Sequence, residues 1–131
     1  MTIANIAIVD QARGGTGCAI VHSDSASGIQ RLNQEAAKAL AAGREAGFDI
    51  SEGRAMTWLT KNPAKSLGIL DQTGTLEQGK DADVVIWDGN PFSVYTKAEQ
   101  VFIDGALVFD KATNFMPHTD FDLGIKEWED K

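Results

Sequence analysis

Basic residues, cysteine and long apolar runs are all scarce in this sequence. Twelve Lys and Arg stand against nineteen Asp and Glu, a formal net charge of −7. Non-specific nucleic-acid binding needs a basic surface to neutralise phosphates, so a nucleic-acid partner is not expected. The longest apolar runs are about four residues, far below the roughly 20 a membrane-spanning helix needs. No membrane partner is expected either. The single cysteine, Cys18, has no intrachain partner for a disulfide, and no basic-then-apolar segment opens the sequence, so neither feature points to a compartment. Only two histidines occur, His22 and His118, without an HxH pair. GxSxG, P-loop, HExxH and CxxC motifs are missing as well. What remains is 131 residues with 43% apolar content, enough for an ordinary globular core.

The most informative stretch runs from Thr57 to Phe92, TWLTKNPAKSLGILDQTGTLEQGKDADVVIWDGNPF. One helix is expected to end at Lys61. A short new one follows, with Asn62 as N-cap and Pro63 at the first helical position, where its missing N–H costs nothing. Gly68 stops that turn, and Gly74 and Gly79 bracket a segment around Leu76. Val84-Val85-Ile86-Trp87 is strongly β-prone and closed by Asp88-Gly89-Asn90-Pro91. None of these residues forms a catalytic constellation.

NPAKSLGI, then GTLEQGKDADVVIWDGNPF, then VFIDGALVFD resemble, in that order, the C-terminal end of the amidohydrolase superfamily in its imidazolonepropionase-like branch. The resemblance implies an α+β fragment: the last strand and flanking helices of a metal-dependent hydrolase (β/α)₈ barrel, then strands of a small composite β-sandwich domain. Residues 1–67 would belong to the barrel, 68–110 to the β-domain and 111–131 to a C-terminal tail. A complete barrel needs about 250 residues, which this length cannot hold.

Taken in order, residues 2–13 are ambiguous. Ile3, Ile6, Val9 and Ala12 have helical spacing, yet IAIV alone would pass for a strand; the resemblance favours a helix, turned at Gly14–Gly17. Cys18 to Asp24 reads as a short buried strand, on which His22 and Asp24 point to one side. From the residues alone, Asp24 is more often a cap for the next helix than a ligand. The resemblance reverses that order, because the family places a metal-binding, proton-accepting aspartate at the end of the eighth barrel strand. It therefore implies that Asp24 is both catalytic base and metal ligand, serving a metal-activated water. His22 is the weaker metal candidate, since the family's metal histidines lie on other strands.

Gly28 to Gly47 reads as the clearest helix. Ile29, Leu32, Ala36, Ala39 and Leu40 form its apolar stripe, Glu35 and Lys38 pair at i,i+3, and Gly43 weakens its last turn. Ser51 is a natural N-cap for EGRAMTWLTK, in which Trp58 reads as core. Ser93–Lys97 is a loop or edge segment. Asp104-Gly105, between Gln100–Ile103 and Ala106–Phe109, is a type I′ hairpin signal. The tail contains Phe115, Phe121, Ile125 and Trp128 without a convincing period, and His118 receives no role.

The family's other ligands are an HxH pair on the first strand, a mid-barrel lysine or glutamate, and two later histidines. Asp24 cannot hold zinc alone, because zinc wants three or four ligands at about 2.0–2.3 Å. The resemblance thus implies a divalent metal, zinc by preference, in the complete parent enzyme and none on this chain alone. The parent would hydrolyse a C–N bond in a small-molecule cyclic amide, imide or dipeptide-like substrate. Two alternatives stand beside it: a non-catalytic module assembling through β-edges, and one chain of a split enzyme. The expected partners are accordingly a second copy paired at exposed strand edges, or an N-terminal barrel segment.

Overall fold

The computed structural model describes residues 4–113. Four helices come first, α1 (Asn5–Gly15), α2 (Leu32–Glu45), α3 (Glu52–Met56) and α4 (Lys61–Leu67), with a 3₁₀ turn at Ile29–Arg31. Three strands follow, β1 (Val84–Trp87), β2 (Ala98–Ile103) and β3 (Ala106–Asp110). Helices and strands are segregated along the chain, an α+β arrangement. Phe115, His118, Phe121, Ile125 and Trp128 lie outside the described residues, as does Ile3.

The first segment is helical as expected. Helical dihedrals stop at Ala12 (ψ 146), and Arg13 and Gly14 take positive φ, which reverses the chain. The core lies where α1 crosses α2. Ala7, Ala36 and Ala55 are fully buried, with Ala39, Leu40, Ile50 and Trp58 around them. Small residues let the two helices approach closely: a Cβ on Gly43 would sit 2.6 Å from the Ala7 Cβ and 3.3 Å from Ile50 Cδ1. Gly43 is therefore a packing requirement as well as a weak helix former. The 3₁₀ turn leaves Ile29 59% exposed, so it does not join the α2 stripe. Its register changes before the α-helix begins at Leu32. The Glu35–Lys38 pair forms at 2.7 Å, and the Ser51 hydroxyl caps α3 by accepting the Arg54 N–H at 3.1 Å.

Three expectations need correction. The helix expected to end at Lys61 stops at Met56, and Lys61 instead begins α4. Cys18–Asp24 forms no strand. A strand is defined by its neighbours, and no other strand of the described residues lies beside this segment. Cys18 is also exposed rather than buried. Asn62, in turn, is not an N-cap: α4 begins at Lys61 with Thr60 in the cap position. The Asn62 amide is buried and donates instead to the Ala19 carbonyl at 2.7 Å. Tertiary demand for that carbonyl overrides the local capping preference.

The sheet is an antiparallel meander in the order β1-β2-β3. Val84 pairs with Phe102, and Ile103 with Ala106 across the hairpin. Asp104 (φ 51) and Gly105 (φ 77) carry the two positive φ values of a type I′ turn. That turn is tied back to the preceding loop, since Gly105 N–H donates to Ala82 O and Asp104 N–H to Asp83 Oδ1, both at 3.1 Å.

Candidate functional site

Residues 17–24 emerge from the α1 reversal and cross the helical core. Their backbone is held by side chains and by the α3–α4 connection in place of a sheet. Gly17 N–H donates to Asp10 O at 3.1 Å, and Val21 N–H to Trp58 O at 3.1 Å. Arg54 Nη2 donates to Gly17 O at 3.0 Å, and Asn62 Nδ2 to Ala19 O. Ala19 is buried and Val21 packs on the core, whereas Cys18, His22 and Asp24 are exposed.

His22 Nδ1 and Asp24 Oδ1 come within 3.3 Å, with side chains 72% and 96% exposed. The structure thus brings the two expected residues together. The cap for the following turn comes from elsewhere: Gly28 N–H donates to Ser25 Oγ at 3.3 Å, and Ser23 Oγ accepts the Ser25 N–H. Asp24 has no hydrogen bond to a helix N-terminus among the described residues. Beside the pair lies an open depression of about 440 Å³, lined by His22, Ser23, Ser27, Gly28, Arg31 and Glu35 among others. A neighbouring hollow of about 410 Å³ includes Ile20, Val21 and His22.

The Asp24 carboxylate is 96% exposed and touches His22, but two groups do not complete a zinc site, which takes three or four. Among the described residues no three His, Cys, Asp or Glu side chains converge on a metal-sized position. The described residues therefore do not make up a self-contained metal centre.

Sequence reasoning missed Asp10. It sits in IVDQ, which reads as one more turn of helix, yet its side chain is fully buried. Oδ1 accepts from Arg54 Nε and from Trp58 Nε1, each at 2.8 Å, and Oδ2 from Gln11 Nε2 at 2.8 Å. Trp58 is core, as expected, with its one polar atom satisfied there. The available signal was an acidic residue directly after the apolar run Ile6–Val9.

The charged residues of GKDADVV act as loop staples. Lys80 Nζ donates to Leu70 O and Thr75 Oγ1, each at 2.6 Å, while Asp83 holds the hairpin turn. The Thr75 hydrogen bond and then the Lys80 charge hold the Glu77 carboxyl below its usual value. Beside the sheet, the Lys97 backbone N–H does the same for Asp88, helped by Lys111. The Lys111 ammonium is raised, first by its hydrogen bond to Glu99 and then by Asp88.

The sequence profile of the amidohydrolase family matches residues 6–116. An imidazolonepropionase from Thermoplasma volcanium is 40% identical over 67 residues, 47% of this chain and 17% of that protein. One from Brucella suis is 54% identical over 41 residues, 31% of this chain and 10% of that protein. The amidohydrolase tasK of Hapsidospora irregularis is 41% identical over 56 residues, 43% of this chain and 6% of that protein. A crystal structure of an amidohydrolase from Thermotoga maritima superposes with a TM-score of 0.68 at 34% identity, covering 84% of this chain and 27% of that one. Most of this chain therefore shares the amidohydrolase fold, while each match spans under a third of the protein it matches.

Proposed function

The chain belongs to the amidohydrolase family, and from that premise we propose that it is the C-terminal portion of an imidazolonepropionase-like hydrolase of C–N bonds, incomplete by itself. Residues 1–67 would complete a barrel and 68–110 a composite β-domain. Asp24 is the catalytic carboxylate this chain contributes. It takes up the proton released when water attacks the carbonyl carbon of a small amide or cyclic imide. His22 beside it is a supporting ligand or hydrogen-bond donor. The divalent metal belongs to the assembled enzyme, whose other ligands lie outside this sequence. The observation that carries this reading is the His22–Asp24 contact, exposed at the end of a segment that presents Cys18 and Ile20 without strand neighbours.

Supplying an N-terminal barrel segment with the HxH pair and the remaining ligands tests it. Turnover is expected to appear and to depend on Asp24. Asp24→Asn keeps the size but removes charge and basicity, and loss of a general base costs about a hundredfold to ten-thousandfold in rate. Asn caps helices about as well as Asp, so a capping residue would lose neither turnover nor thermal midpoint. Full turnover in the variant would overturn the assignment. The chain alone is expected to hold no stoichiometric zinc by elemental analysis and to hydrolyse no amide. One metal per chain with turnover would refute incompleteness.

A second reading, a module that assembles through its sheet, is favoured by the apolar residues the strands leave exposed. Val85, Ile86, Ile103, Leu107 and Val108 are between 43% and 54% exposed.

A further inference from the structure

A buried side-chain network centred on Asp10 lies beside the segment that leads to the candidate site. Asp10 Oδ1 accepts from Arg54 Nε and Trp58 Nε1, each at 2.8 Å, with the carboxylate fully buried. Both donors reach on to the 17–24 segment. The Arg54 fork continues through Nη2 to Gly17 O at 3.0 Å, and the Trp58 carbonyl accepts the Val21 N–H at 3.1 Å. One carboxylate thus fixes the two residues that anchor both ends of Gly17–Val21. An independent steric feature agrees. A Cβ on Gly17 would lie 1.8 Å from Val9 O, so backbone rests directly on backbone where the segment leaves α1.

We infer that Asp10 is a positioning residue, the centre of a lock with Arg54 and Trp58 that sets where His22 and Asp24 emerge. The inference rests on the reading of Asp24 as this chain's catalytic carboxylate. Geometry explains why an ion pair serves here. A guanidinium presents a rigid fork that engages a carboxylate through one nitrogen and a carbonyl through another, which an ammonium does not. Burial makes the arrangement selective, because a charged partner withdrawn from Asp10 leaves a desolvated carboxylate behind. Segment 17–21 lacks the ladder that would otherwise hold a strand, so its path rests on these bonds together with those from Asn62 Nδ2 to Ala19 O and from Gly17 N–H to Asp10 O.

Residue-resolved amide exchange on the 131-residue chain tests the lock, with Asp10→Asn and Arg54→Lys beside Leu40→Ala. Leu40 is buried in α2, in the core cluster that includes Trp58 but outside the hydrogen bonds of the lock, so its truncation is the control for a general loss of core stability. Asp10→Asn is expected to raise exchange at Gly17 and Val21 at least about tenfold beyond any change at Ala39 and Leu40, since local openings are read separately from global ones. The Trp58 indole N–H resonance is expected to move as its acceptor loses charge. Arg54→Lys keeps the charge opposite Asp10 and serves as the second variant where Asp10→Asn does not fold. It is expected to release Gly17 and Val21 as well. Protection at both amides unchanged in Arg54→Lys, or falling only in step with α2 as in Leu40→Ala, overturns the inference. Asp24→Asn leaves both amides protected under the lock, so failure of the catalytic reading is seen separately in turnover.

Discussion

The helical part and the sheet solve the burial problem differently. Between Asn5 and Leu67 the chain closes around Trp58, Ile50 and Asp10, the largest side chains under 2% exposed, and every buried polar side-chain atom described finds a partner. Between Val84 and Asp110 not one strand residue is fully buried. The sheet is joined to the helices through its flanking loop. Asn33 Nδ2 donates to Pro91 O at 2.7 Å, Asn90 Nδ2 to Glu52 near 3.0 Å, and Phe92 packs against the core. Helices satisfy their backbone internally and need only one covered face. A three-stranded meander needs a layer on a face and leaves two open edges. The difference lies in what each part covers among the described residues: the helices bury a core of their own, and the sheet leaves apolar side chains exposed.

Four experiments break or sharpen that contrast. Trp58→Ala removes the central side chain and a donor to Asp10, and is expected to cost about 3–5 kcal/mol, as large aromatic-to-alanine changes in cores do. Chemical denaturation gives the total, and amide exchange shows where it falls. Loss of protection in β2 in step with α2 would make the two regions one cooperative unit. Gly105→Val should destabilise the hairpin by more than about 1 kcal/mol, because a β-branched residue does not easily take φ near +77. An unchanged midpoint would remove the primed turn from the account of the sheet.

Sedimentation equilibrium comes next. If the sheet's exposed residues and edges seek a partner, the chain self-associates as concentration rises, and Val108→Lys on β3 weakens the dimer. A monomer at every concentration would mean that the exposed apolar strands need no cover.

The smallest effect is electrostatic. Asp88 has its folded pKa lowered, chiefly by the Lys97 N–H at 2.8 Å. It contributes stability above the ordinary carboxylate pKa that is lost as pH falls through the lowered value. Lys111 is raised, chiefly by Glu99, so its contribution is present below the usual lysine pKa and lost as pH rises through the raised one. β1–β2 protection should therefore weaken at both extremes, and Asp88→Asn should flatten the acid limb alone. An acid limb unchanged in Asp88→Asn would take this carboxylate out of the sheet's stability.

Much of this molecule is determined by the sequence alone, wherever the cause is local. The Asp104-Gly105 turn follows from positive φ, the Ser51 cap from a hydroxyl one turn ahead of an N–H, and the α2 face from helical spacing. The family likeness was legible for a similar reason, since NPAKSLGI and GKDADVV are short contiguous strings. Their charges staple loops whose ends are near in sequence: Lys80 reaches Leu70 and Thr75. Only the tertiary structure decided the rest. Asn62 left the cap for the Ala19 carbonyl, and Cys18–Asp24 lost its strand for want of neighbours. Asp10 became the buried anchor of residues forty-four and forty-eight positions away. A side chain's local preference is worth about 1 kcal/mol, whereas leaving a buried carbonyl or carboxylate unpaired costs that or more. Where chain crossings bury such groups, the distant partner wins, and no window along the sequence contains it.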